Sequence, residues 1–133
     1  MSDKKNSVID LASLDTAALC DQGAELELNN PATGEPLGVY LTLAGVDSKT
    51  FRNALGAMAG KRAKRRGSPT IEEIRAEDVE LAARCTLAWR NVVVDGQELP
   101  CTLDNARQVY RRFPWMREQA SNFAGDRGSY LGE

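Results

Sequence analysis

The residues best suited to chemistry are two runs of opposite charge separated by a short turn. Lys61, Arg62, Lys64, Arg65 and Arg66 come first, and Glu72, Glu73, Glu77, Asp78 and Glu80 follow. Clustered cations can recruit phosphate and release counterions, which is how nucleic acid is held, and clustered carboxylates can hold a divalent metal. Both patterns also have a plainer cause. The cations fall at the end of one predicted helix and the acids at the start of the next, where each sign suits the helix dipole. If the two helices pack antiparallel, the patches face each other across the turn. No aromatic residue interleaves the basic run, as single-strand binding prefers, so nucleic acid is not the expected partner.

Catalysis finds little to work with. The chain has no histidine, which removes the usual general base, every Ser-His or Cys-His nucleophile and the commonest metal ligand. It has no GxxxxGK[ST] or GxGxxG phosphate loop. Cys20, Cys85 and Cys101 are odd in number and widely spaced with no CxxC pair, so they suggest neither a disulfide framework nor a zinc site. Cys85 falls on the apolar side of a predicted helix, and Cys20 and Cys101 have no activating neighbour. No catalytic residue, metal or cofactor is expected, and the chain is not expected to be an enzyme.

Binding is the remaining class of function. Trp89, Tyr110, Phe113, Trp115 and Phe123 could anchor an interface, because aromatic residues are enriched at binding hot spots. With only 6% aromatic residues, a core needs most of them. Trp89, Tyr110 and Phe113 are therefore expected inside, and Trp115, beside Pro114 at a helix start, outside. The candidate partner-binding set is Trp115, Met116, Gln119 and Phe123, with Arg111 and Arg112 beside them.

The elements that must position these residues fit in one domain of 133 residues, with 42% hydrophobic and 27% charged content. The five clustered cations are part of 17 basic residues, so 12 are left against 19 acidic ones and most of the surface should be acidic. No apolar run approaches the roughly 20 residues that span a bilayer, and the polar start precedes no apolar signal segment, so a soluble cytoplasmic protein is expected.

Residues 1–22 read as an arm or short helix, with Leu11, Leu14 and Ala18 at helical spacing and Asp10 or Ser13 as cap. A hairpin is predicted over 24–44, where Leu26 and Leu28, then Val39, Leu41 and Leu43, alternate with polar or small residues around turn-forming Asn29 to Pro36. Such a hairpin is marginal alone and must lie on helices. The first of these is predicted over about 48–66, capped by Asp47 or Ser48, with Phe51, Leu55, Met58 and Ala59 on one face. Thr70 and Glu73 form a capping-box spacing for the next, about 70–90, whose buried side should be Ile71, Ile74, Leu81, Cys85 and Ala88. Because this helix is apolar nearly all round from Leu81 to Trp89, its second half should lie at the centre of the core.

Asp95-Gly96 marks a turn, and Thr102 caps a helix over 103–113 with Leu103, Ala106, Tyr110 and Phe113 as its stripe. Pro114 stops it and opens a last helix over 115–124, before a loose tail at 125–133. The expected class is α+β, a short antiparallel β-hairpin packed on about four α-helices, with residues 23–124 as the single domain.

The residue order Trp-Arg-Asn-Val, Asp-Gly, Leu-Pro-Cys-Thr, Asp-Asn-Ala-Arg, Tyr, Phe-Pro-Trp, Glu-Gln, Phe-Ala over 89–124 resembles the C-terminal half of tail assembly chaperones from long-tailed, siphovirus-type bacteriophages. The run NPATGEPLGVYLTLAGVDSKTFRNAL resembles their N-terminal half, where strand, turn, strand and helix come in this order. Together the likeness covers roughly 24–131, and it lies in the order of ordinary residues rather than in a catalytic signature. The resemblance implies a phage or prophage protein of the host cytoplasm that self-associates, coats the tape-measure protein and brings tail-tube subunits to it, without staying in the finished virion. It also implies a longer frameshifted product, for which the glycine-rich end would suit a linker. Two other readings stay open: a structural tail or head-tail connector protein, and a small DNA-associated regulator using residues 61–66.

Overall fold

Backbone polar groups in the first half of the chain are satisfied by strand pairing. In the computed structural model, which describes residues 8–64 and 67–132, β1 (Ala24–Asn29) pairs antiparallel with β2 (Pro36–Leu43), placing Ala24 opposite Leu43 and Leu26 opposite Leu41. The turn between them is closed by Asn30, whose side-chain oxygen accepts from the Ala32 N–H at 2.8 Å. The sheet has a third strand that the hairpin reading lacks. β3 (Thr86–Arg90) pairs antiparallel with the other edge of β2, giving the order β1-β2-β3. The helix expected over 70–90 therefore ends at Cys85, because the next five residues take their hydrogen bonds from β2 instead of from their own preceding turn.

Five α-helices are present among the described residues: α1 (Thr16–Gln22), α2 (Lys49–Ala63), α3 (Ile71–Cys85), α4 (Leu103–Arg112) and α5 (Pro114–Gly125). The architecture is α+β. Local signals set most of the ends. The Ser48 hydroxyl accepts from the Phe51 N–H, Thr70 and Glu73 close both bonds of a capping box, and the Thr102 hydroxyl accepts from the Asn105 N–H. Pro114 is the first residue of α5, where its missing N–H costs nothing. Asp95 and Gly96 both take positive φ, 52° and 81°, and turn β4 (Val93–Val94) back onto β5 (Gln97–Glu98).

The core lies between the inner sheet face and three helices. Leu28, Leu41 and Leu43 pack on Val79, Ala82 and Ala83 of α3, Ala106, Val109 and Tyr110 of α4, and Met116 and Ala120 of α5. Helix α3 is central, but its buried side differs from the expected one. Ile71 and Ile74 are exposed, at 70% and 42%, Ala88 is on exposed β3, and Val79, Ala82, Ala83 and Cys85 face inward. In α2 only Ala54 is buried, with Phe51 and Met58 half-buried and Leu55 and Ala59 exposed. In α4, Leu103 is exposed and Val109 is buried.

The amino-terminal segment contains a short helix, one of its two expected forms, whereas the end expected to be a loose tail is docked. Cys20 of α1 is fully buried, and the Thr16 hydroxyl donates to Asp47. Beyond α5, Arg127–Ser129 forms a 3-10 turn, Arg127 pairs with Asp47 at 2.7 Å, and the Tyr130 hydroxyl donates to the Leu43 carbonyl from a buried position. These segments meet at Gly45. A Cβ there would lie 2.3 Å from the Cys20 sulfur and 2.8 Å from the Tyr130 ring, so only glycine lets them approach. Among the described residues, no helix is long and apolar enough to cross a membrane.

Candidate partner-binding cleft

Helix spacing brings two sets of residues face to face. On α3, Asp78, Leu81, Ala82 and Cys85 share a side, and on α5, Arg117, Ala120, Ser121 and Ala124 share another at the same i, i+3, i+4, i+7 intervals. Between them runs a cleft of about 270 Å³, lined also by Val46 and by Phe51 of α2. Its floor is Ala82, Ala120 and Ala124, too small to fill the space between the helix backbones. Leu81 and Phe51 form apolar walls, and Asp78 and Arg117 bring one charge of each sign to it. Exposed Ile74 and Ile71 lie one and two turns before Asp78 on the same side of α3, so the apolar strip continues beyond the cleft. Leu55, one turn after Phe51 on α2, is 43% exposed and adds an uncovered apolar side chain on the Phe51 side of that helix.

A second groove of about 590 Å³ lies on the other side of α3, against α4 and α5. Arg75, Arg111 and Arg117 line it together with Glu72 and Glu118, so it is charged with mixed sign. This is where the exposed Arg111 of the expected partner-binding set falls.

The rest of that set is dispersed. Met116 is 4% exposed and belongs to the core, which corrects its assignment to an open surface: α5 turns it toward the sheet. Gln119 serves the fold, donating from Nε2 to the Asn29 carbonyl and accepting the Asn29 N–H at Oε1, both at 2.9 Å, which closes the end of edge strand β1. Phe123 is half-buried against Tyr130, with ring centroids 5.7 Å apart. Trp115, expected outside, is half-buried against the core and beside Phe113. Arg112 is paired with Asp95 at 2.8 Å. Trp89 is half-buried and donates from its indole N–H to the Leu99 carbonyl. The α5 spacing of Arg117, Ala120, Ser121 and Ala124 was visible in the sequence, but nothing local says that α3 stands off from it.

The charged runs are tied down in part. Lys61, Arg62 and Lys64 are at the end of α2, and Arg62 pairs with Glu77 of α3, as antiparallel packing of the two helices requires. Arg65 and Arg66 lie outside the described residues. Glu80 does not act as part of a metal cluster: it holds Arg107 at 2.8 Å and Arg84 at 2.6 Å. Arg107 first, then Arg84, hold its carboxyl down to about 2. Among the described residues, no group of three or more thiol or carboxylate side chains is placed to hold a metal ion. Burial pushes the Cys85 thiol up to about 11 and raises Cys101 as well, so both stay protonated and weakly nucleophilic at neutral pH. Compared with known protein families, curated proteins and solved structures, the chain finds no match.

Proposed function

We propose that this chain is a tail assembly chaperone of a long-tailed bacteriophage or prophage. It works in the host cytoplasm, holds the tape-measure protein, helps recruit tail-tube subunits and is absent from the finished virion. The reading starts from the resemblance over roughly 24–131, and the observation that carries it is the apolar cleft between α3 and α5, continued by Ile74 and Ile71.

A long helical client with an uncovered apolar stripe aggregates unless that stripe is shielded. A trough floored by alanines and walled by Leu81 and Phe51 suits such a helix, which presents anchors at i, i+3, i+4 and i+7. One short cleft gives modest affinity, and many copies along one client supply avidity. The work is binding and release without bond making. The absence of histidine from the sequence and the protonated thiols fit that role.

Co-expression with the tape-measure protein from the same genome tests the reading. Ile74→Asp and Leu81→Asp are expected to lower capture about tenfold or more, a loss of roughly 1.4 kcal/mol. Undiminished capture by folded variants would remove the cleft as the site. Stoichiometric amounts of the protein in purified virions would point instead to a connector. Salt-sensitive DNA binding lost on neutralising Arg62, Lys64 and Arg65 would point to a regulator, although Arg62 is already engaged by Glu77.

A further inference from the structure

The segment ahead of α1 leaves four large apolar side chains uncovered within seven residues. Val8 and Leu11 are 80% and 78% exposed, and Ile9 and Leu14 are exposed as well. The arm has its own local order. Asp10 Oδ1 accepts from the Ala12 N–H at 3.0 Å and the Asp10 carbonyl accepts from the Ser13 N–H at 3.0 Å, winding Leu11–Leu14 into a 3-10 turn that buries nothing. Leu11 and Leu14 are three residues apart within the turn, so they share one side of it, and exposed Val8 and Ile9 precede it in the chain. That side is apolar and has no counterpart among the described residues of the arm.

The cleft between α3 and α5 is the matching uncovered surface, and the arm leaves the body beside it. Thr16 is bound to Asp47, the neighbour of Val46, which is one of the residues lining the cleft. Helix α1 is fixed to its own body at Thr16 and at buried Cys20, while Val8 and Leu11 stay exposed, so the arm does not lie in its own cleft. Charge sets the direction in which the arm can enter. Arg117 on the α5 wall donates to the Ser121 hydroxyl at 3.2 Å and keeps further donors available for Asp15, which makes no cap bond, while Asp78 on the α3 wall keeps the arm's acids away from that side.

We propose that residues 8–14 seat in the α3–α5 cleft of a second copy of this chain, with Leu11 and Leu14 in the trough and Asp15 toward Arg117. Because arm and cleft are different surfaces, the contact is head-to-tail and propagates into chains or rings. The proposal rests on the same cleft as the chaperone reading and adds its regulation: without a client, copies cover one another's clefts, and a client helix must displace the arm.

Sedimentation velocity of the full chain, without client and over a wide range of concentration, tests this. The sedimentation coefficient of the wild type should rise with concentration. The Leu11→Asp/Leu14→Asp variant, which spoils the arm, and Ser121→Trp, which fills the trough, should each sediment as monomers with an unchanged helical circular dichroism spectrum. Mixed together they should form a one-to-one pair, since each supplies the surface the other lacks. If Ser121→Trp does not fold, Arg117→Glu takes its place on the same criteria. A monomeric wild type, association that survives in the arm variant, or a mixture that stays monomeric would overturn the proposal. Failure of client capture alongside intact arm exchange would remove only the chaperone reading.

Discussion

Helices α4 and α2 are both capped at their first turn and both basic in their last, yet they are used differently. Helix α4 buries Ala106, Val109 and Tyr110, and two of its three arginines are engaged, Arg107 with Glu80 and Arg112 with Asp95. Helix α2 buries only Ala54, leaves Leu55 exposed, and is tied to α3 through Arg62 and Glu77. An apolar stripe covered by the sheet and two helices is scaffold. A stripe covered on one side is available to something else, and the cleft opens on that side of the molecule.

The largest expected effect tests the scaffold half. Met116→Ala should cost about 2–5 kcal/mol in urea denaturation, as truncation of a buried methionine does. A loss below about 1 kcal/mol would mean that α5 is not held by its inner face. Next comes the end of the chain. Tyr130→Phe removes the donor to the Leu43 carbonyl in a buried setting and should cost about 1 kcal/mol, with faster proteolysis after Gly125 as a second readout.

A smaller effect depends on pH. The Glu80 carboxyl, held down by Arg107 and then Arg84, lies at about 2 against an ordinary 4.5. A group depressed in the folded state stabilises above its unfolded value and loses that contribution as pH falls toward the folded one. Stability of the wild type should therefore decline from pH 4.5 toward 2, and Glu80→Gln should flatten the decline. Asp47, held to about 2 by Arg127 and Thr16, acts in much the same range, so slope should remain until Asp47→Asn is added. A wild-type profile that is flat in this range would show that neither ion pair stabilises the fold. The smallest effect tests the open half: Leu55→Ala should change stability by no more than about 0.5 kcal/mol while weakening client capture severalfold. If it cost as much as Met116→Ala, α2 would be scaffold too and the contrast would fail.

Much of the fold was legible in the residues. The caps at Ser48, Thr70 and Thr102, the start at Pro114 and the turn at Asp95-Gly96 depend on groups at most four positions apart, so the chain carries those decisions locally. The candidate site was legible only in pieces. Leu81 and Ala120 were readable as apolar positions of their helices, whereas the assignment of Met116 to a binding surface went wrong because helical spacing does not say which neighbour a stripe meets.

What the sequence determined by itself was where helices begin and turns fall, since those bonds close within one turn of chain. Only the tertiary structure made Thr86–Arg90 a strand, buried Tyr130, exposed Ile71 and Ile74 and left a trough beside α5. A strand's hydrogen bonds and a side chain's burial require partners from distant sequence, and here β2, Gly45 and α3 supply them.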